Sequence, residues 1–496
     1  MAARITVLFE EPIGYINPEL HGHFSEHLGS CITEGIWVGE RSRIANDGGI
    51  RSDVVAALRK IRPPVLRWPG GCYADDYHWE DGIGPREQRP RRVNIWWGQS
   101  IEDNQFGTHE FLRLCDLIGA RPYLAGNLGS GTVREMRDWV EYCNFAGDSE
   151  LSRRRRANGA EYPFNVRYWG VGNENWGCGG NFCPEDYATE YRRYATYLRD
   201  FGESKLFLIA CGPNGNDLEW TRRFFKKFGR PDHFGNARIH GYAAHYYCGT
   251  AGTATQYSVD QWYELLHKSL FMRQLITEQR SAMDEFDPQR RIGLIIDEWG
   301  TWHPPTPGRN PQHLWQQNTI RDALVAALTL NLLNEQADKV VMANIAQTVN
   351  VLQAMCLTQG EALVLTPTYH VFDLYQSHQG GQSLRTIAES GASSFVAGQE
   401  KRSIDHLHAS ASLSQGKLTL SVVNTHASLP VDAALDLRGR TLRDVSVRVL
   451  ADEDIAAHNT FAEPQRVQPK SVAVDEELSR ITLPPASVTV IGAQIT

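Results

Sequence analysis

The sequence lacks the features that mark membrane proteins, secreted proteins and nucleic-acid-binding proteins. No uninterrupted apolar run approaches the roughly 20 residues that a membrane helix needs. The first residues, MAARITVLFEEP, contain neither the apolar core nor the small-residue cleavage site of a signal peptide. Basic residues are not in excess, because 50 Lys and Arg face 58 Asp and Glu for a net charge of -8. We therefore expect a cytoplasmic protein with no nucleic acid and no membrane as partner.

Cysteine pairs at metal-binding spacing are also missing. The nine cysteines are scattered without a CxxC pair, and no zinc motif is visible. Free thiols in a reducing compartment fit this distribution best. We expect no bound metal.

Eight short apolar runs, each followed by polar or glycine-rich residues, organise the first three quarters of the chain. Amphipathic helical patterns such as DVVAALRKI and VREMRDWVEYCNF lie between most of them. Eight repeats of strand and helix predict an α/β fold, a (β/α)₈ barrel with a closed parallel sheet. The eight runs cover residues 21–24, 64–68, 122–125, 167–171, 206–210, 239–245, 292–296 and 339–345.

The pattern changes after about residue 380. Helical periodicity gives way to short alternating runs such as KLTLSVVNT and SVTVIGA, separated by turn residues. We expect a barrel over residues 19–379 and an all-β, jelly-roll-like sandwich over 380–496. Residues 1–18 also alternate and are expected to pair with that sandwich. The one basic run, residues 153–156, is interpreted as a solvated loop.

Candidate catalytic residues follow the predicted strands. Active sites of (β/α)₈ barrels form at the carboxyl ends of the strands. Glu174 follows the fourth strand in GNENWG, and Glu298 ends the seventh in DEWG. Two such carboxylates can cleave a glycosidic bond: one protonates the departing oxygen, and the other attacks the anomeric carbon or activates water. Their mutual repulsion and burial would raise the pKa of one of them and keep it protonated, while Arg67 would hold the other ionised.

Each of these residues also has a plainer interpretation. A lone glutamate after a strand is usually a solvated loop residue or a member of an ion pair. Tyr247 could simply pack at a strand end, or its hydroxyl could donate to the nucleophile. His245 is interpreted as a structural hydrogen-bonding residue rather than a metal ligand, and Arg67 could form a buried salt bridge. Asp297 should face away from Glu298 by strand alternation and act as a structural partner.

Tryptophan is abundant, with 13 residues, and several lie in apparent loops beside glycine or acidic residues. Aromatic rings in loops often line a ligand cleft, and flat sugar faces stack well on them. A sugar ligand is therefore a reasonable hypothesis.

Longer segments carry a family resemblance. WGVGNENWG and IIDEWG resemble the acid/base and nucleophile segments of clan A glycosidases, and four further segments narrow the match. Together they resemble the α-L-arabinofuranosidases of glycoside hydrolase family 51 over nearly the whole chain. The four segments are HGHFSEHLG, VLRWPGGCYADDYHWEDGIGP, NQFGTHEFLRLC and VMANIAQTVNVLQAM.

The resemblance implies roles for matched positions. Glu174 would be the acid/base and Glu298 the nucleophile, with Asn173 binding a sugar hydroxyl. The other positions would hold the furanose ring, support the nucleophile or wall the sugar pocket. They are Glu26, Arg67, Gln347, Tyr247 (with Tyr246 next to it as the competing tyrosine), Trp97 and Trp302. Family members often assemble as hexamers or other homo-oligomers and need no metal cofactor. The resemblance therefore implies a homo-oligomer, a hexamer or a trimer, and no cofactor.

One position departs from the family pattern. Many members have asparagine after the RxPGG segment, where its amide contacts the sugar, whereas this chain has Cys72. A thiol is a weak donor and acceptor, so that substrate contact would be weakened or replaced. The loops after strands two and four both lean over the barrel, so Cys72 and Cys178 could be neighbours joined by a disulfide. Two unpaired thiols are the alternative.

The activity implied is a retaining exo-α-L-arabinofuranosidase that releases terminal arabinofuranose from arabinan, arabinoxylan and their oligosaccharides. One rival is a β-1,4-glucanase or xylosidase that uses the same two glutamates. Another is a non-catalytic carbohydrate-binding protein, which would have no need of a carboxylate pair. A metal-dependent sugar isomerase is the third, and its cluster of histidine and carboxylate ligands is missing.

Overall fold

The computed structural model describes residues 3–229, 238–249, 251–474 and 478–496. Eight parallel strands close into a barrel in chain order, with the fourth strand hydrogen-bonded to the fifth and the eighth to the first. The predicted (β/α)₈ barrel is confirmed, and each of the eight apolar runs contributes one strand. The strands are β1 Gly22–Phe24, β2 Val65–Trp68, β3 Arg121–Gly126, β4 Tyr168–Val171, β5 Phe207–Asn214, β6 Gly241–Gly249, β7 Gly293–Trp302 and β8 Val340–Ala346.

Helices surround the barrel, and their starts follow the capping signals of the sequence. Ser258 and Thr319, for example, each accept a hydrogen bond from a backbone N–H in the first turn of the helix that follows. The α-helices are Ser52–Ile61, Thr108–Ile118, Val133–Asn144, Glu150–Ala157, Pro184–Tyr197, Leu218–Phe228, Val259–Ser269, Phe271–Asp284, Ile320–Glu335 and Pro367–Tyr375. The 3₁₀ helices are Pro18–His21, Cys72–Asp75, Trp79–Gly82, Arg86–Gln88, Pro311–His313 and Gln376–His378.

A second, all-β unit follows the barrel. Nine strands form one continuous ladder, and side chains from both ends of the ladder meet in a single apolar core, so the sheet curls on itself. In spatial order the strands are Lys470–Val472, Leu442–Leu450, Ser487–Ile495, Lys417–Asn424, Leu407–Ser414, Gln382–Glu389, Ala3–Tyr15, Val431–Asp436 and Arg480–Leu483. Two-stranded ribbons are Asn46–Asp47 with Ile50–Arg51, Arg92–Asn94 with Ser100–Glu102, Cys356–Gln359 with Ala362–Leu365, and Ala392–Ala397 with Glu400–Asp405.

The N-terminal strand Ala3–Tyr15 lies inside this curled sheet. It pairs antiparallel with Gln382–Glu389 and parallel with Val431–Asp436. These pairings support the proposed division of the chain near residues 18 and 379, because the first strand is hydrogen-bonded to the C-terminal unit.

Helix Ile320–Glu335 joins the two units. Fifteen side chains from Ile320 through Asn334 are buried, since the barrel covers one side and the curled sheet the other. Polar groups cross this contact: Asn331 Oδ1 accepts hydrogen bonds from the hydroxyls of Ser410 and Ser421 at 2.9 and 2.7 Å. Hydrogen bonding of this kind lets polar side chains be buried at low cost.

The basic run at residues 153–156 does not form a solvated loop, so that expectation was wrong. It belongs to helix Glu150–Ala157, which Ser149 caps. Arg155 is fully buried and donates to the carbonyls of Tyr142 and Phe145, near the end of the preceding helix. A guanidinium that satisfies unpaired helix carbonyls explains why one arginine of the run is inside.

Across the described residues, none of the helices combines the length and the apolar character that crossing a membrane requires.

Candidate active site

The carboxyl ends of the barrel strands bring most of the expected residues to one opening of the barrel. Eight of them are linked into two connected groups, one around Glu298 and one around Glu26, by hydrogen bonds and by a 3.6 Å contact between His245 Nδ1 and Glu298 Oε2. The residues that the sequence singled out there are Glu26, Arg67, Asn173, Glu174, His245, Tyr247, Glu298 and Gln347.

Glu298, on β7, is buried and held by charged and polar partners. Arg67 Nη1 donates to its Oε1 at 2.7 Å, and the Tyr247 hydroxyl donates to its Oε2 at 2.7 Å. His245 Nδ1 lies 3.6 Å from the same Oε2. Burial by itself would raise the pKa of Glu298, but the charges of His245 and Arg67 and the two hydrogen bonds outweigh it, so the pKa lies below its ordinary value. Glu298 is thus an ionised carboxylate at neutral pH.

Asp297 does not face away from Glu298 as strand alternation predicted, because both side chains contact Arg67. Its Oδ2 lies 3.5 Å from Arg67 Nε and accepts a hydrogen bond from Tyr123, while Oδ1 accepts one from Asn344. The register between β6 and β7 shifts at this point, so Asp297 is an extra residue in the ladder. A β-bulge breaks the two-residue alternation and turns adjacent side chains towards one side. Asp297 remains a structural partner, now of Arg67.

Glu174 lies just after β4 in more open surroundings. Its backbone is left-handed, with φ of 42°, and its side chain is half-buried. His245 Nδ1 is hydrogen-bonded to Oε1 at 3.0 Å, so one histidine nitrogen lies beside both glutamates. One carboxylate oxygen of Glu174 and one of Glu298 lie within 4.8 Å of each other.

Sequence reasoning missed Asp75, which holds the segment that carries Glu174. Its Oδ1 accepts from the backbone N–H groups of Leu128 and Gly129, both at 2.7 Å. Its Oδ2 accepts from the backbone N–H of Asn173 at 2.7 Å and from Asn175 Nδ2 at 3.3 Å. Asp75 therefore ties the loops after β2, β3 and β4 together. Burial raises its pKa to about 7 against the lowering effect of these donors. The sequence reads ADD, and nothing in it distinguishes Asp75 from Asp76.

Asn173, next to Glu174, has one engaged and one free side-chain atom. Its Oδ1 accepts a short hydrogen bond from Arg67 Nη2. Its Nδ2 is buried and has no hydrogen-bond partner among the described residues. A buried donor without a partner is costly unless a ligand satisfies it, so this amide can receive a ligand oxygen.

Glu26 and Gln347 form a second hydrogen-bonded group at the same opening. Glu26 Oε1 accepts from Trp97 Nε1 at 2.9 Å and from the Tyr73 backbone at 3.1 Å, and Oε2 accepts from Gln347 Nε2 at 3.3 Å. Burial, with the negative charge of Glu298, raises the pKa of Glu26 to about 8. Glu26 therefore holds a proton more readily than an ordinary glutamate, and in its protonated form it can donate a hydrogen bond to a sugar hydroxyl.

The two adjacent tyrosines of β6 separate clearly. Tyr247 donates to Glu298, whereas the Tyr246 hydroxyl donates to the Lys268 carbonyl at 2.7 Å. The ring of Trp302 stacks edge-on against Tyr247, with centroids 5.2 Å apart, and keeps 37% of its surface exposed. Trp302 and the half-buried Trp97 thus leave aromatic surface at the opening.

Cys72 and Cys178 are joined by a disulfide, with Cα atoms 5.4 Å apart. The hypothesis that these two residues pair is confirmed, and the alternative of two unpaired thiols does not hold in this structure. Their sulfur atoms lie 3.9 and 3.6 Å from Glu174 Oε2. A disulfide has no S–H group, so Cys72 cannot donate to a substrate in this form.

Among the described residues, two groups place histidine, cysteine or carboxylate ligand atoms within 4.8 Å of one another: Glu174 with His245 and Glu298, and Glu174 with Cys72 and Cys178. In the first group His245 Nδ1 is hydrogen-bonded to Glu174 and lies 3.6 Å from Glu298 Oε2. In the second the sulfurs are covalently linked.

A close carboxylate pair at the mouth of a (β/α)₈ barrel, with an arginine and a tyrosine on one member, is typical of retaining glycoside hydrolases. Two family models narrow this class. The model described as "Alpha-L-arabinofuranosidase 1 domain" matches residues 57–262, and the one described as "Alpha-L-arabinofuranosidase C-terminal domain" matches residues 297–487.

Individual relatives agree with these models. The chain is 42% identical to the "Intracellular exo-alpha-L-arabinofuranosidase" of Bacteroides ovatus, over 99% of this chain and 96% of that protein. The crystal structure of the GH51 arabinofuranosidase from Xanthomonas axonopodis pv. citri superposes with a TM-score of 0.93 at 39% identity, covering 99% and 100% of the two chains. An arabinose complex of the Thermotoga maritima α-L-arabinofuranosidase gives a TM-score of 0.87 at 32% identity, again covering 99% and 100%. The chain belongs to the α-L-arabinofuranosidases of glycoside hydrolase family 51.

Proposed function

We propose that this protein is a retaining exo-α-L-arabinofuranosidase with Glu298 as nucleophile and Glu174 as acid/base. The observation that carries the assignment is the distance between the glutamates, whose nearest carboxylate oxygens lie within 4.8 Å of each other. Retention needs the carboxyl groups about 5 Å apart, whereas inversion needs more than about 6 Å to fit a water between them. The surroundings of the two glutamates indicate which role each one has. Glu298 is ionised and buried, which suits attack on the anomeric carbon. Glu174 is more accessible, which suits proton transfer to the leaving group and from water.

The proposed reaction has two displacements. Glu298 attacks the anomeric carbon, its C–O bond forms as the glycosidic bond breaks, and Glu174 gives its proton to the leaving oxygen. Glu174, now a carboxylate, then removes a proton from water, and the hydroxide oxygen displaces Glu298 with net retention. Arg67 and Tyr247 hold the Glu298 carboxylate in place through both steps. Their hydrogen bonds keep its two oxygens oriented.

The furanose ring would be held by groups on both sides of the glutamates. We assign hydroxyl contacts to Glu26, Gln347 and the unpaired Nδ2 of Asn173. Trp97 and Trp302 would form aromatic walls. Cys72 would contribute a sulfur surface rather than a hydrogen bond, since it belongs to a disulfide.

The test is the stereochemistry of the first product. With an aryl α-L-arabinofuranoside, proton NMR during the first minutes should detect the α-anomer of arabinose before mutarotation. Initial formation of the β-anomer would contradict the double displacement.

The glucanase or xylosidase alternative is disfavoured by the family models and relatives, which are described as arabinofuranosidases. Aryl arabinofuranoside, aryl xyloside and a soluble β-glucan, assayed side by side, separate the two activities. We expect turnover of the first substrate to exceed that of the others.

Further proposals concern the setting of the enzyme. Terminal arabinofuranose on arabinan, arabinoxylan and arabino-oligosaccharides is the proposed substrate, and linkage-defined oligosaccharides would test this. A cytoplasmic location is supported by the word "intracellular" in the name of the Bacteroides ovatus relative, and cell fractionation tests it. We also propose a homo-oligomer, a hexamer or a trimer, which light scattering after size-exclusion chromatography would measure.

A further inference from the structure

We propose that the dithiol form of Cys72 and Cys178, together with Glu174, is a binding site for a zinc-class cation that blocks the active site. The three residues converge from the loops after β2 and β4 at the opening of the barrel. Cysteine sulfur and carboxylate oxygen are both ordinary zinc ligands. The site would be inhibitory, and the disulfide would protect the enzyme from it.

Two of the three distances between ligand atoms already suit a tetrahedral ion. Zn–S bonds of about 2.3 Å and Zn–O bonds of about 2.1 Å put each sulfur about 3.6 Å from the oxygen and the sulfurs about 3.8 Å apart. The sulfurs of Cys178 and Cys72 lie 3.6 and 3.9 Å from Glu174 Oε2. Both sulfurs can bind one ion only after the disulfide is reduced, because covalently linked sulfurs cannot separate enough to share it.

The carboxylate oxygen that would bind the ion is available. Glu174 Oε1 is engaged by His245 Nδ1, whereas Oε2 has no protein donor among the described residues, since disulfide sulfurs carry no hydrogen. The hydrogen bond from His245 also orients the carboxylate, as partners of metal ligands usually do. All three ligand residues are partly exposed, so an ion can reach them.

The chemistry requires a reductant, and the proposed cytoplasm supplies one in the form of small-molecule thiols. Two thiols reduce the protein disulfide to two S–H groups and are oxidised to one small-molecule disulfide. Zinc then forms two Zn–S bonds and one Zn–O bond and releases to solvent the two thiol protons and the carboxyl proton that Glu174 carries as the acid. Water can occupy the fourth position.

The inhibitory effect, though not the binding, rests on the proposed function of Glu174. A carboxylate that donates its lone pair to zinc can neither carry the proton for the leaving oxygen nor accept one from water. Zinc bound by this site should therefore stop both displacement steps.

Metal binding is tested first, without reference to activity. The purified enzyme is prepared with the disulfide intact and after reduction with a phosphine that is then removed. Each form is titrated with cobalt(II) as a spectroscopic substitute for zinc. We expect thiolate-to-cobalt charge-transfer absorption and one bound zinc per chain in the reduced form alone. Cys178→Ser should lose both signals, whereas Cys183→Ser, which removes an exposed free thiol five residues away, should keep them.

Inhibition by zinc is measured on the disulfide and reduced forms of the enzyme and of each variant. The hydrolysis rate of each sample is compared with its own rate in the absence of zinc. If zinc binds with a Kd near 1 µM, free zinc at about 10 µM should slow the reduced enzyme roughly tenfold and leave the disulfide form unaffected. A chelator should restore the rate. The proposal is overturned if the reduced enzyme binds no zinc, or if Cys178→Ser binds it equally well. Zinc that binds as expected but leaves hydrolysis unchanged would overturn the blocking effect, and the Glu174→Ala variant would then show independently whether Glu174 is the acid/base.

Discussion

The mouth of the barrel and the layer between β1 and the curled sheet both bury ionisable side chains, but they treat charge in opposite ways. At the mouth, Glu298 and Arg67 are buried as an ion pair at 2.7 Å. In the other layer, His21, His23 and His378 are buried as neutral rings, and burial lowers their pKa values to about 4, 3 and 3.

The difference lies in the partners. The rings of His21 and His23 pack on Phe372, and their nitrogens have no hydrogen-bond partner among the described residues. His378 is hydrogen-bonded to the hydroxyls of Ser412 and Ser421. A buried charge persists only where counter-charges and donors compensate for lost hydration. The mouth supplies them through Arg67, whereas the partners of the three histidines are rings and hydroxyls without charge.

Removing the carboxylate at the centre of the mouth should have the largest effect. Glu298→Ala should lower kcat for an aryl arabinofuranoside on the order of 10⁴-fold or more, because no covalent intermediate can form. Circular dichroism serves as the check on folding. Added azide should restore turnover and give the β-configured glycosyl azide, since attack then inverts. Near-normal activity in the folded variant would refute the nucleophile assignment.

The loss of activity on removing the second carboxylate, Glu174, should depend on the leaving group of the substrate. Glu174→Ala should slow substrates with poor leaving groups by roughly 10²- to 10⁴-fold, and dinitrophenyl substrates much less, because only the former need the proton. Azide should here give the α-configured product. Equal losses for both kinds of substrate would argue against the acid role.

Removing a hydrogen bond to the Glu298 carboxylate, while keeping the carboxylate itself, should lower activity by an intermediate amount. Tyr247→Phe removes the donor to Glu298 Oε2, and hydrogen bonds to charged groups are worth about 1.5–3 kcal/mol, so kcat/KM should fall roughly 10- to 100-fold. Because that hydrogen bond lowers the pKa of Glu298, its loss should raise it, and the acid limb of the pH profile should move to higher pH.

Tyr246→Phe is the matched control, since Tyr246 donates to a backbone carbonyl outside the site. If both variants behaved alike, the proposed division between the two tyrosines would be wrong.

Asp75 acts as a clamp, because it accepts backbone hydrogen bonds from the loops after β3 and β4. Weakening this clamp should lower the catalytic rate by a smaller factor. Asp75→Asn replaces one of two accepting oxygens by a donor that faces backbone N–H groups, so the Glu174 segment should shift and kcat fall roughly tenfold. KM should change less, and Tm should fall. Asp76→Asn is the control, because Asp76 accepts none of these hydrogen bonds. An unchanged kcat in Asp75→Asn would show that the clamp is not needed for positioning.

The three buried histidines should affect the free energy of unfolding at acid pH but not the catalytic rate. The folded pKa values of these histidines lie below the ordinary 6.5, so between pH 6.5 and about 4 the unfolded chain binds more protons. Stability is therefore complete above pH 6.5 and falls as the pH drops, by at most about 1.4 kcal/mol per pH unit for each histidine.

Urea unfolding at a series of pH values measures this slope, and His23→Asn should reduce it. His458→Asn, at a half-buried position in the C-terminal unit, is the control. An unchanged slope in His23→Asn would contradict the assignment.

Several features could be predicted because they depend on local pattern. The apolar runs have the length and spacing of barrel strands, and parallel strands necessarily place their carboxyl ends at one opening. Glu174 and Glu298 could therefore be placed near each other before the structure was known. The Cys72–Cys178 pair could be raised as a hypothesis for the same reason, since the loops after β2 and β4 share that opening.

Other features depend on contacts between segments far apart in the chain. The sequence does not distinguish Asp75 from Asp76. Asp75 differs because the loops after β3 and β4 pack against it and donate backbone hydrogen bonds to its carboxylate. Arg155 resembles its three basic neighbours until helix Val133–Asn144 presents carbonyls to it.

What the sequence by itself determined is the order of strands and helices, the edge at which the glutamates meet and, through its motifs, the family. Only the tertiary structure decided which buried charged side chains have a counter-charge or a hydrogen-bond donor beside them. The bulge in β7 turns Asp297 as well as Glu298 towards Arg67, and the disulfide brings two sulfurs to within 4 Å of Glu174. The physical reason is that electrostatic interactions and hydrogen bonds depend on distances of a few ångströms. Such distances are set when residues from different strands and loops, such as Arg67 and Glu298, pack together.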